Sequence, residues 1–183
     1  YNVAYKRKME GKTNYKKRVK YLKSEKTRIV IRPSLNNLQI QAVNLEPKGD
    51  KVLFTVRATE LRKFGWKYSL GNVPSAYLTG LYFGTKYKDK IKEAIIDLGL
   101  RTITKGNRLA AAIKGILDSG IKIPCSEEIF PDESKLNGYT ISEYAQKLLS
   151  ENKQEYERKF SKYLKNGIKL ENIPEEFEKL LND

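Results

Sequence analysis

Three segments in the first third of the chain alternate apolar and polar residues, the pattern of strands that bury one face. They are residues 27–33, 38–43 and 51–57, and the first places Ile29 and Ile31 on the same side. Short polar links separate the three segments. The alternation therefore predicts an antiparallel meander with one apolar face and one more polar face.

The middle of the chain begins with the signature of a helix start. Asn72 is the predicted N-cap, and Pro74 falls in the first helical turn. The apolar stripe of this helix includes Gly80 and Gly84. These small residues predict that the helix lies close to the sheet.

A strand and a second helix are predicted next. The apolar run 93–98 is typical of a parallel strand that is covered on both faces. Residues 107–119 have helical spacing, and Gly120 is a natural stop for this helix. A strand–helix–strand–helix order indicates an α/β body with a mixed sheet.

The two ends of the chain differ from this body. Residues 1–12 have many cations and no hydrophobic period, which predicts an extended arm that is disordered until it meets an anion. Thr13 is the predicted cap of a helix that runs to about Lys23. The predicted buried stripe of this helix consists of Tyr15, Val19 and Leu22.

Beyond Pro124 an acidic loop leads to three short predicted helices at 141–150, 153–164 and 173–181. These helices are charged on most faces and are expected to pack on the body or on a neighbour. The predicted fold is therefore a three-layer α/β structure with a mixed sheet. Its divisions are a basic arm and helix (1–26), the α/β body (27–124), and the acidic loop and helical tail (125–183).

The distribution of charge indicates which class of partner the protein binds. The net charge is +14, divided as +10 over residues 1–34, +8 over 35–124 and −4 over 125–183. Such a field attracts polyanions, and nucleic acid is favoured because no segment has the ~18 continuous apolar residues of a membrane span. The single Cys125 fits a reducing compartment, which predicts a cytoplasmic protein.

Residue types restrict the available chemistry. The chain has no His and one Cys, which removes the commonest general base and the usual zinc patterns. We therefore expect no metal and no cofactor. The alternative function is a Mg²⁺-dependent RNA nuclease that uses Asp97, Glu93 and Asp118. The competing interpretation of such an acid is structural: a strand-end Asp that is simply paired with a cation or a backbone donor. An RNA chaperone without a fixed partner is a third hypothesis.

RNA binding is the stronger signal, because aromatic residues are interleaved with the cations. Cations neutralise phosphates, and aromatic faces stack on exposed bases. Tyr1 and Tyr5 accompany the arm's cations, although a solvated terminus is the alternative. Trp66 lies in a glycine-bounded loop, where it would either stack on a base or cover the edge of the core.

Several strings resemble a known family, in order over roughly residues 5–139. They include residues 11–18 (GKTNYKKR), 47–50 (PKGD), 64–67 (FGWK), 71–80 (GNVPSAYLTG), 94–100 (AIIDLGL) and 123–128 (IPCSEE). The chain resembles the 5S-rRNA-binding family of large ribosomal subunit protein number eighteen, in its archaeal and eukaryotic form. Cys125 stands where the family usually has His, and the turn 34–37 lacks the family's usual cation.

The resemblance implies a non-catalytic protein of the ribosomal central protuberance. It implies 5S rRNA and large-subunit rRNA as ligands, and large-subunit protein number five as a neighbour. The residues expected to contact RNA, from the resemblance and from the charge pattern, are Tyr5, Lys6, Arg7, Lys8, Lys12, Thr13, Asn14, Tyr15, Lys16, Lys17, Arg18, Arg28, Arg32, Trp66, Lys67, Asn72, Arg101, Lys105 and Arg108.

Overall fold

A computed structural model describes residues 3–182, and its centre is a four-stranded mixed sheet. The strands are β1 (Arg28–Pro33), β2 (Leu38–Glu46), β3 (Gly49–Arg57) and β4 (Ile95–Asp97). They lie in the order β3-β2-β1-β4, with β1 antiparallel to β2, β2 antiparallel to β3, and β4 parallel to β1. The predicted meander and the parallel strand are therefore confirmed.

Helices lie on both faces of the sheet and in the tail. The helices are α1 (Lys6–Met9), α2 (Tyr15–Lys23), α3 (Val73–Tyr87), α4 (Arg108–Asp118), α5 (Glu133–Leu136), α6 (Tyr139–Glu151), α7 (Lys153–Lys165) and α8 (Ile173–Asn182). Short 3₁₀ helices cover Ala58–Phe64, Glu127–Ile129 and Leu170–Asn172. No helix within the described residues 3–182 is long and apolar enough to cross a membrane.

The main core lies between one face of the sheet and the pair α3 and α4. Ile29 and Ile31 are fully buried there, as the alternation predicts. The prediction that Gly80 and Gly84 bring α3 close to the sheet is wrong. A Cβ at Gly80 would meet the carbonyl of Ala112, and one at Gly84 would meet Ser119, so both glycines face α4. They allow the two helix backbones to approach each other.

The opposite face of the sheet carries α2, which gives the predicted three layers. Arg28 and Arg32 point to this face because they alternate with the buried isoleucines. At the sheet's edge, β4 is shorter than predicted and is not covered on both faces, since Ile95 and Ile96 are only half-buried.

The N-terminal segment differs from its prediction in three ways. Residues 6–9 form one helical turn within the predicted extended arm. Asn14 caps α2, because its side chain accepts from the Lys17 N–H, whereas the Thr13 hydroxyl accepts from Arg7. Val19 is 48% exposed, so it is not part of a buried stripe. The proposed role of Tyr1 falls outside the residues that the structure describes.

The three predicted tail helices are confirmed, and they pack on the body through a second core. Trp66 and Tyr68 of the body are buried there with Tyr156 of α7, with Leu170, and with Phe177 of α8. The Tyr68 hydroxyl donates to the Lys169 carbonyl at 3.0 Å, and the Tyr156 hydroxyl donates to Glu171 at 3.0 Å. The tail is thus attached by apolar burial and by two phenols.

Alkaline pH should loosen this attachment. Burial, followed by the negative charges of Glu176 and Glu171, raises the pKa of Tyr68 from 10.0 to about 12. Burial and the hydrogen bond to Glu171 raise the pKa of Tyr156 to about 12. Both phenols favour the folded state below pH 10, and this contribution is lost as the pH rises from 10 through 12.

Proteolysis of the tail, measured at stepped pH, should therefore accelerate across that interval. The Tyr68→Phe, Tyr156→Phe double variant has no such phenols, so its tail should show a weaker dependence on pH. Equal pH profiles for the two proteins would contradict this assignment.

Candidate nucleic-acid interface

A basic cleft lies at the edge where the parallel strands β1 and β4 end. Because the carboxyl ends of parallel strands share one edge of a sheet, Arg32 and the segment 97–101 are neighbours there. The N-terminal segment lies across them and closes a cleft of about 300 Å³. The lining of this basic cleft is Arg7, Lys12, Thr13, Asn14, Lys17, Arg18, Tyr21, Arg32, Asp97, Leu98, Gly99, Leu100 and Arg101.

Local hydrogen bonds shape the N-terminal wall of the cleft. The Arg7 guanidinium donates to the Thr13 hydroxyl at 2.9 Å, which joins the arm to the start of α2. The rings of Tyr5 and Tyr15 lie 4.8 Å apart and reinforce the same junction. The cap at Asn14 then sets where the helix begins, so Lys17 and Arg18 lie in its first turn.

An alternating series of charges, the arginine–aspartate ladder, connects α2 to the end of the sheet. Its members in order are Arg18, Asp50, Arg28, Asp97 and Arg32. The successive nitrogen–oxygen distances are 2.9, 2.7, 3.2 and 3.2 Å. Two carboxylates thus hold three guanidinium groups, and the outer two guanidiniums reach the cleft.

Asp97 is the central acceptor of the ladder. One of its carboxylate oxygens also accepts from the Gly99 N–H at 2.8 Å, and its backbone carbonyl accepts from Arg32 at 2.7 Å. These bonds fix both the loop after β4 and the direction of the Arg32 side chain. Asp97 therefore shapes the cleft, and its charge is already balanced by two arginines.

The electrostatics of the ladder keep Asp50 ionised. Burial by itself raises the pKa of Asp50, but the guanidinium groups of Arg28 and Arg18 outweigh it and hold the pKa below its ordinary value. Burial, and next the charge of Asp97, raises the pKa of the Tyr21 phenol. The Tyr21 hydroxyl therefore keeps its proton at the wall of the cleft and can act as a hydrogen-bond donor.

Two of the predicted arginines, Arg101 and Arg108, border the same end of the sheet. Arg101 donates to the carbonyl of Pro33, at the end of β1. Arg108 donates to the carbonyl of Gly71, just before the cap Asn72. Lys67 and Lys105 are exposed. The RNA contacts of these residues, and those of Lys6, Lys8, Lys12 and Lys16, stay predictions.

Two of the predicted RNA contacts are corrected by burial. Trp66 is 1% exposed, and its ring N–H donates to the Ser69 carbonyl, so it belongs to the second core and is not free to stack on a base. Arg28 is 2% exposed and lies inside the ladder. It therefore positions the outer arginines, and it is not accessible to a phosphate.

Sequence reasoning missed one member of the ladder. Tyr21 is one of the aromatic residues that the sequence interleaves with cations, and it lines the cleft although it lies outside the stripe assigned to α2. Asp50 is an acid in a basic region, and its role depends on contacts with residues 22 and 32 positions away along the chain. In the sequence, the only feature that pointed to Asp50 was the family-like string 47–50.

The three acids of the nuclease hypothesis are not together. Asp97 is in the ladder, Glu93 pairs with Lys26 at 2.7 Å, and Asp118 accepts from the Tyr77 hydroxyl at 2.9 Å. Among the described residues there is no group of three side chains that could hold a metal ion. The geometry thus offers the nuclease hypothesis no support.

Comparison with known families agrees with the resemblance seen in the motifs. A family model described as "Ribosomal large subunit proteins 60S L5, and 50S L18" matches residues 1–95. This match spans half of the chain and includes the arm, α2, the first three strands of the sheet and α3. The chain therefore belongs to the family of large-subunit ribosomal proteins that comprises 60S L5 and 50S L18.

Proposed function

We propose that this ribosomal protein binds 5S rRNA in the basic cleft and attaches it to large-subunit rRNA in the central protuberance, beside large-subunit protein number five. The observation that supports this is the convergence of six cations from four chain segments on one cleft. The role is structural and needs no catalysis. Its place is the ribosome of the cytoplasm, in the archaeal and eukaryotic form of the family.

The binding mechanism combines capture with docking. The arm and helix within residues 1–26 carry most of the exposed cations of the cleft, so they attract the phosphate backbone first. Arg18 and Arg32 are held in place by the ladder before RNA arrives, which lowers the entropic cost of ordering them. Body residues 27–124 supply Arg32 and the two aspartates that hold both arginines, and the tail 125–183 supports the body from elsewhere.

Salt dependence tests this proposal directly. We expect the affinity for 5S rRNA to fall steeply with salt, with a slope of about 0.7–0.9 per phosphate contact in logarithmic terms. The triple variant Arg7→Gln, Lys12→Gln, Lys17→Gln removes three cleft cations outside the ladder. Its slope should be smaller by about two to three, as filter binding at several salt concentrations would show.

The matched control is Lys153→Gln, Lys162→Gln, Lys165→Gln, which removes three exposed tail cations. This control should bind 5S rRNA as the wild type does. Equal slopes for both triple variants would refute the cleft. Equal wild-type affinity for an unrelated RNA of the same length would favour a chaperone over a specific 5S rRNA protein.

A further inference from the structure

The end of α3 that lies away from the cleft carries a second concentration of cations. Lys86 is in the last turn of α3, and Lys88, Lys90 and Lys92 follow it. All four side chains are exposed. The basic cleft uses none of these lysines.

Aromatic rings are interleaved with these lysines in space. Phe54 of β3 stacks on Tyr87 with ring centroids 4.2 Å apart, and Lys90 lies 5.0 Å from the Phe54 ring. Lys86 lies 5.1 Å from the ring of Tyr82 and 5.6 Å from that of Tyr87. We call this surface the lysine–aromatic pole: Lys86, Lys88, Lys90 and Lys92 with Phe54, Phe64, Tyr82 and Tyr87.

Phe64 is the most accessible ring of the pole. It is 47% exposed, and its ring packs edge-on against Tyr82 with centroids 5.0 Å apart. An exposed Phe beside a lysine cluster is not required by the core, because the main and the second core are complete without it. It leaves a π-face on which a base can stack.

The pole and the cleft lie at opposite ends of the body. The first residues of α3 adjoin the cleft end, where Gly71 accepts from Arg108 and lies against the β1–β2 turn. From there α3 runs for 15 residues, which is about 22 Å. One short RNA segment therefore cannot contact the cleft and the pole at the same time.

The chemistry of the pole favours RNA over a protein partner. Lysines neutralise phosphates while ring faces stack on bases, and both are present here within a few ångströms. Protein interfaces, by contrast, are depleted in lysine at their cores. Three acids lie nearby: Glu60 caps the 3₁₀ helix Ala58–Phe64 and lies 4.0 Å from Lys86, Glu93 pairs with Lys26, and Asp89 is exposed. The four lysines still leave a local excess of positive charge.

We infer that the lysine–aromatic pole is a second RNA-binding site, which holds large-subunit rRNA while the cleft holds 5S rRNA. The inference rests on the proposed function for the identity of the two RNAs. The protein would then act as a bridge between two RNA molecules, with α3 setting the distance between them.

A bridging assay tests the second site. 5S rRNA is fixed on beads, protein is bound to it, and labelled full-length large-subunit rRNA is then added and its retention measured. The quadruple variant Lys86→Gln, Lys88→Gln, Lys90→Gln, Lys92→Gln should bind 5S rRNA within about twofold of wild type. It should retain at least about tenfold less large-subunit rRNA, given four lost phosphate contacts.

Two further variants keep the result interpretable. Lys88→Gln, Lys90→Gln, Lys92→Gln spares Lys86 and its contacts with Tyr82, so a folding defect at Lys86 would not be mistaken for lost binding. Phe64→Ala should lower retention about fivefold or more, which corresponds to one lost stacking contact. The control Lys153→Gln, Lys162→Gln, Lys165→Gln, Lys169→Gln should behave as wild type.

The outcomes separate the two proposals. Unchanged retention by the quadruple variant, or no retention by the wild type, would overturn the second site. An equal loss of 5S rRNA binding by that variant would also overturn it, because the lysines would then belong to the first contact. Failure of wild-type protein to prefer 5S rRNA in the first step counts against the proposed function alone.

Discussion

Replacing Asp97 by Ala is expected to lower the free energy of unfolding by about 3 kcal/mol, the scale for removing one partner of a buried ion pair. The side chain of Asp97 is only 12% exposed, and that of its partner Arg28 is 3% exposed. After the substitution Arg28 keeps Asp50 alone as a counter-ion, and the Gly99 N–H loses its acceptor. Urea denaturation of the purified variant measures this loss.

The same substitution should weaken discrimination between RNAs. It removes one negative charge from the cleft, which favours any polyanion. It also removes the carboxylate contact of Arg32, so this arginine keeps only its bond to the backbone carbonyl of residue 97 and is held less firmly. We therefore expect the ratio of affinities for 5S rRNA and an unrelated RNA to fall, even though total affinity at low salt is maintained.

Glu93→Ala is the matched control for this prediction. Glu93 is also an acid next to β4, but its pairing with Lys26 is exposed and should contribute nothing measurable to stability. If Asp97→Ala were as stable as Glu93→Ala, the ladder would have no structural role. If instead the Asp97→Ala protein bound RNA more tightly, with an unchanged ratio of affinities for 5S rRNA and the unrelated RNA, the effect of Asp97 on RNA binding would be charge repulsion alone.

Replacing Trp66 by Ala is expected to cost about 3–5 kcal/mol of stability, since it empties the centre of the second core. The ring is 1% exposed and packs edge-on against Tyr68, with centroids 5.2 Å apart. Loss of this ring should release the tail, so limited proteolysis should cut residues 139–182 sooner than the body. Chemical denaturation and timed digestion measure the two effects.

Two comparisons separate a core role of Trp66 from base stacking. Lys67→Ala changes the exposed neighbour and should alter stability by no more than about 0.5 kcal/mol. Trp66→Phe keeps most of the apolar volume, and it should bind RNA as the wild type does because the ring is inaccessible. A stable Trp66→Phe protein that bound RNA tenfold more weakly would restore the stacking hypothesis.

The elements of this fold were predictable where their cause is local. Alternation placed the three strands of the meander because a pleated strand puts successive residues on opposite faces. Asn72 caps α3, as its position before an apolar period indicates. The tail helices were predicted for the same reason, since their periodicity lies within each segment.

The candidate site was predictable in composition but not in arrangement. Charge counting assigned polyanion binding to the first two-thirds of the chain, because net charge is additive along a sequence. Whether a given cation is free or paired depends on what folds against it. Arg28 and Arg32 look alike in the sequence, yet one is buried in the ladder and the other reaches the cleft.

The strand and helix types, the charge asymmetry and the family follow from the order of the amino acids. Packing in three dimensions establishes that Trp66 joins the tail to the body, that Gly80 faces α4, and that the arginine–aspartate ladder exists. These contacts could not be predicted because their partners are far apart along the chain: Arg18 meets Asp50 over 32 residues and Arg32 meets Asp97 over 65. Such pairs are set by sheet order and helix packing, which no local pattern encodes.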